Sequence, residues 1–120
     1  MHKHPLWLAA LGLALAACSG PAAGRPDRDG TLLVVGREMQ FESDQLEVAA
    51  GQPVTLVFHN DGTLEHALVI DELGVAITHI APGQDGTVTF TPDQAGVYTF
   101  YCSVPGHKEA RMTGTLQVKP

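Results

Sequence analysis

The strongest constraint on this 120-residue chain is a rhythm of two. In QLEVAAGQPVTLVFHN the apolar residues Leu46, Val48, Val54, Leu56 and Phe58 fall at alternating positions, and Gly51-Gln52-Pro53 punctuates the two halves. Successive side chains of a strand point to opposite faces, so this spacing marks strands with one buried face. The pattern returns in TVTFTPD, with Val88 and Phe90 on one face, and in TGTLQVK, with Leu116 and Val118 two apart. GVYTFYC sets Val97, Thr99 and Tyr101 opposite Tyr98, Phe100 and Cys102, while TLLVVG, HALVIDE and VAITHI are further short apolar runs. No segment shows a long helical period. Short strands at intervals of roughly 8–12 residues, separated by Gly, Pro and Asp turns, predict an all-β fold. The expectation is a Greek-key β-sandwich of seven to eight strands over residues 31–120. About 90 residues suffice for one modest core.

The first thirty residues have a different character. A weakly basic start, Met1 to His4, precedes LWLAALGLALAA, an uninterrupted apolar run from Leu6 to Ala17. Spanning a bilayer as a helix takes about 20 such residues, and this run is shorter. It reads as a secretory signal. LAAC, Leu15 to Cys18, resembles the lipobox of bacterial lipoproteins. That resemblance implies cleavage after residue 17, a diacylglyceryl group on the Cys18 sulfur, and a lipid anchor on the outer face of a bacterial membrane, periplasmic or extracellular. Residues 18–30, rich in Gly and Pro, then read as a flexible tether.

With Cys18 lipidated, Cys102 has no partner within the chain, although export places it in an oxidising compartment. The domain must then stand on its core, or on its core and a ligand. Loss of residues 1–17 removes Lys3 alone, leaving 6 basic against 13 acidic residues, a formal charge of −7 with His neutral. Nucleic-acid binding calls for a basic face, so nucleic acid is excluded as a partner.

One stretch carries chemistry. In YCSVPGHKEARM, Cys102 ends a strand, Pro105-Gly106 turns the chain, and His107 and Met112 follow at five-residue steps. A thiolate, an imidazole and a thioether are soft ligands that suit copper better than magnesium or calcium. A second imidazole is needed, and His59, His66 and His79 are available. His66, between a turn and a strongly apolar strand, is placed to enter from a sandwich edge. Taken singly, Met112 would be core, a histidine solvated, and Cys102 a small hydrophobe. Taken together, four soft side chains at this spacing argue for a metal site.

The combined pattern resembles the cupredoxins, small blue copper proteins, and within them the auracyanin and rusticyanin branch. AGVYTFYCSVPGH, MTGTLQV and LEVAAGQPVTLVFHNDGTLEHALVI carry the likeness across residues 31–120. It implies one type 1 copper ion, with His66, Cys102 and His107 in a trigonal plane and Met112 as weak axial ligand. It also implies a monomer that passes single electrons between a donor and an acceptor redox protein, with His107 as the electron port. Pro105, Gly106 and Ala110 would form part of an apolar patch there. Ala67 departs from the family, many members of which carry Asn or Ser after the first histidine to tie the ligand loops; Ser103 or Asn60 is left to take that role. Three rivals stand beside this reading. A copper carrier would use the same ligands. A copper enzyme would need further histidine clusters and usually a second domain, and a metal-free adhesive sandwich would need no ligands at all.

Overall fold

The computed structural model describes residues 20–120, together with Met1 and Gly12. The expected leader and the Cys18 lipidation site otherwise lie outside the described residues. Among the described residues no helix is long and apolar enough to cross a membrane.

The strands are β1 (Thr31–Arg37), β2 (Gln40–Phe41), β3 (Gln45–Ala49), β4 (Val54–Asn60), β5 (His66–Ile70), β6 (Val75–Ile80), β7 (Asp85–Phe90), β8 (Gly96–Tyr101) and β9 (Thr113–Lys119). A single 3-10 turn, Asp71–Leu73, separates β5 from β6. Among the described residues the count is nine where seven to eight were expected. The surplus is β2, whose two residues are too few to show a period and which exists through pairing of Gly36 with Phe41 and Arg37 with Gln40.

Two sheets form, in the orders β2-β1-β4-β7 and β3-β9-β8-β5-β6. β1 runs parallel to β4, and β3 parallel to β9. The alternation read from the sequence is the inside–outside alternation of these sheets. Along β4, Val54, Leu56, Phe58 and Asn60 are buried while the residues between them are half-buried. In β8, Phe100 points inward with Cys102 just beyond the strand, and in β9 Leu116 and Val118 do so. Phe41 packs edge-on against Phe58 and Phe100, with ring centroids 5.9 and 5.0 Å away, so it serves the core while Met39 is exposed. β5 is buried at all five residues, which hides any alternation.

The expected tether is shorter than its composition suggested. Gly24 forms a parallel bridge to Leu46: its N–H donates to the Gln45 carbonyl at 2.8 Å, and the Glu47 N–H donates to the Gly24 carbonyl at 2.9 Å. Arg25 pairs with Glu47 at 3.0 Å. A Cβ on residue 24 would come within 2.9 Å of the Leu46 side chain, so glycine permits this close approach. Residues 24–30 therefore follow the edge of the second sheet. These are backbone bonds, and a Gly/Pro-rich composition does not announce them.

Candidate metal centre

One end of the sandwich gathers the C-terminal ends of β4 and β8 and the starts of β5 and β9. His66 opens β5, Cys102 follows β8, and Met112 precedes β9. The loop carrying Cys102, His107 and Met112 closes largely on itself. The Cys102 N–H donates to the Met112 carbonyl, the Met112 N–H to the His107 carbonyl, and the His107 N–H to the Val104 carbonyl, each at 3.0 Å. The loop thus holds its own shape before any ligand binds.

His66 arrives from the other strand pair and is held by Asn60. The Asn60 side chain is fully buried, and its Nδ2 donates to the carbonyls of Leu64 and Ile80, each at 2.8 Å. Its Oδ1 accepts from the Gly62 N–H at 2.9 Å. One amide thereby fixes the β4–β5 loop to itself and to β6, immediately before His66. Asn60 thus braces the loop before His66 but makes no bond to the Cys102–Met112 loop; the Ala67 N–H joins the two ligand segments by donating to the Cys102 Sγ, and Ser103 is exposed.

His66, Cys102 and Met112 have no exposed surface, and His107 retains 6%. The Nδ1 atoms of the two histidines lie 3.2 Å apart, and the Cys102 Sγ is 3.4 Å from His107 Nδ1 and 3.9 Å from His66 Nδ1. A triangle with these sides encloses a point about 2 Å from each corner, which is the bond length of a transition metal to imidazole and slightly short of that to thiolate. His66, Cys102 and His107 thus form a three-donor cluster that a single ion can occupy. Met112 lies against the same end of the core, its methyl close to Gly36.

The protonation of His66 suits a metal ligand. Burial, and then the neighbouring His107, push the His66 pKa below its ordinary value, with Glu38 offsetting part of the effect. A neutral His66 presents a lone pair, as a metal ligand must. The His66 Nε2 is buried with no hydrogen-bond partner, so the ring is not held by a bond at its far nitrogen. The Ala67 N–H donates to the Cys102 Sγ at 3.3 Å, an interaction that favours negative charge on sulfur. The other two sequence candidates go elsewhere. His59 projects from the half-buried face of β4 and pairs with Asp85, and His79 is 84% exposed at its side chain, beside Glu65. Parity along β4 turns His59 away from the core.

A family model for the cupredoxin-like domain matches residues 8–118. The chain belongs to the cupredoxin family. Two curated relatives of this cupredoxin have names that refer to copper proteins or to the auracyanins. It is 28% identical to auracyanin A of Chloroflexus aurantiacus, over 83% of this chain and 86% of that protein. It is 26% identical to the copper-resistant cuproprotein CopI of Rubrivivax gelatinosus, over 72% of this chain but only 64% of the CopI length. Its fold matches the reduced auracyanin of Roseiflexus castenholzii with a TM-score of 0.70, 23% identity, and coverage of 76% of this chain and 98% of that one. The cofactor that the family and this donor cluster call for is a single type 1 copper ion.

Proposed function

We propose that this cupredoxin is a membrane-anchored carrier of single electrons between redox proteins, with copper held by His66, Cys102, His107 and Met112. The meeting of two Nδ1 atoms and one Sγ in a buried pocket carries the reading. Two imidazole nitrogens and a thiolate with a weak thioether form an electron-transfer site. Bound copper supplies one interchangeable electron there, and no substrate is turned over. The protein's own part is to keep the donors fixed. The self-bonded loop and the Asn60 tie resist movement of the ligands, so little reorganisation opposes a change of charge. His107, as the one donor with exposed surface, is the port, and Pro105, Gly106 and Ala110 are exposed around it. Docking there would be weak and short-lived, as redox encounters are. The anchor is Cys18, and the protein faces the outside of a bacterial membrane as a monomer.

The likeness to CopI favours a second reading, a copper-handling protein with the same ligands. The enclosure of the donors weighs toward the shuttle, because a site that hands over its metal must expose it.

The test is the absorption spectrum of residues 19–120 with Cu(II). An intense blue charge-transfer band is expected, and Cys102→Ser should abolish it. A colourless wild-type complex would end the proposal. Rapid loss of Cu(I) to a mild chelator, in a protein that is blue when oxidised, would favour the carrier over the shuttle.

A further inference from the structure

The N-terminal segment enters the domain at the copper end. Gly24 is level with Leu46, and Leu46 is level with Leu116, four residues beyond Met112 on β9. Because residue 24 joins β3 in parallel, the chain before it runs back toward the start of β3 and of β9, which is the ligand end. Pro21 and Ala22 accordingly line the same recess as residues 42–45. After Gly24 the chain runs the length of the sandwich to Gly30, whose carbonyl accepts from Thr55 at the far end.

This placement limits where an anchor can hold the domain. Six residue steps separate Cys18 from Gly24, a reach of about 20 Å at full extension. A free tether running to residue 30 would have twice the steps and could let either end approach the bilayer. The bridge at Gly24 and the Arg25–Glu47 pair remove that freedom. The far end, marked by the turns at Gly51 and Pro92, stands a further 20 Å or about that away, the length of the seven-residue β4.

We infer that the lipid anchor holds the His107 face toward the membrane, so that the partner is a protein whose redox centre lies close to the surface of the same bilayer. This rests on the anchoring at Cys18 proposed above. A freely diffusing soluble partner would have to enter the gap between domain and lipid. A membrane-bound partner meets the face by lateral diffusion, and confinement to one surface raises the effective concentration of each for the other.

The test uses the full lipidated chain on phosphatidylcholine vesicles that contain a dansyl-headgroup phospholipid. The chain's one tryptophan, Trp7, precedes Cys18 and leaves with the leader, so a single introduced tryptophan reports position without metal. Ala110→Trp marks the ligand loop. Val97→Trp marks the far end of β8, about 17 Å away along the strand. Energy transfer to dansyl should be clearly stronger from position 110, and a 20-residue Gly-Ser insertion between Gly20 and Pro21 should erase the difference. In copper-loaded protein, oxidation by soluble cytochrome c should slow on anchoring and recover in the insertion variant. A chain that floats with the vesicles but transfers equally or more strongly from position 97 overturns the orientation and leaves the anchor standing. A chain that does not float overturns the anchor, and the orientation with it.

Discussion

The backbone amide of Ala67 donates to the sulfur of Cys102 over 3.3 Å, from the residue next to His66. Reduction of a copper–thiolate site places more negative charge on sulfur, so a donor to that sulfur stabilises the reduced form. Ala67→Pro deletes the N–H and little else of the ligand set. The expected outcome is a protein that stays blue with a lower reduction potential, read by redox titration against the circular dichroism of the fold. An unchanged potential in a folded variant would show that this contact does not tune the site.

The buried Asn60 side chain makes three hydrogen bonds, one buried and two partly buried. Asn60→Ala leaves two carbonyls and an N–H without that partner, and each buried unpaired group costs about 1–3 kcal/mol. Melting of the copper-free protein should fall clearly. Copper release should quicken, because the loop that positions His66 loosens with it. Asn60→Asp keeps the acceptor for Gly62 but sets a buried carboxylate against two carbonyl oxygens, so it should shift both measurements at least as far as the alanine variant.

Met112 is fully buried and sits close to Gly36. Met112→Leu conserves volume and should cost under about 1.5 kcal/mol. It should keep the blue colour and shift the potential. Gly36→Ala is the converse experiment: its Cβ would stand 2.7 Å from the Phe58 ring and 3.3 Å from the Met112 methyl. Overpacking of this kind costs about 1–3 kcal/mol. The thioether should be displaced, which changes the intensity ratio of the visible bands. Loss of all copper binding in Met112→Leu would contradict a weak axial role.

Acid should destabilise the copper-free protein through His66. Its folded-state pKa lies below the ordinary 6.5, so the unfolded chain binds the proton more readily. The contribution is complete above about pH 6.5 and is lost as pH falls through the folded value. Melting temperature measured from pH 7.5 down to pH 5 should drop, and His66→Gln should flatten part of that slope. Copper loading should weaken over the same range, since protons compete for the imidazole.

Much of this molecule is legible in its sequence because parity along a strand is a physical variable. Val54, Leu56 and Phe58 fix which face of β4 is inside, and that alone turns His59 outward. His66 was legible through its position between a turn and an apolar strand. The likeness to the family added the expectation that such a residue would meet the Cys102 loop. β2 escaped notice because two residues show no period. The Gly24 bridge escaped because main-chain hydrogen bonds leave no side-chain signature. The role of Asn60 was only half visible: an asparagine before a turn suggests a local bond, but its reach to Ile80 depends on how β6 returns.

Three of the four soft side chains belong to one eleven-residue loop that hydrogen-bonds chiefly to itself. Such a segment behaves as a replaceable cassette. Exchanges among the exposed residues between Cys102 and Met112 can retune the colour and voltage of the centre while Cys102 and Met112 themselves keep their places in the core. Selection can therefore adjust what the protein does electrically almost independently of how it stays folded.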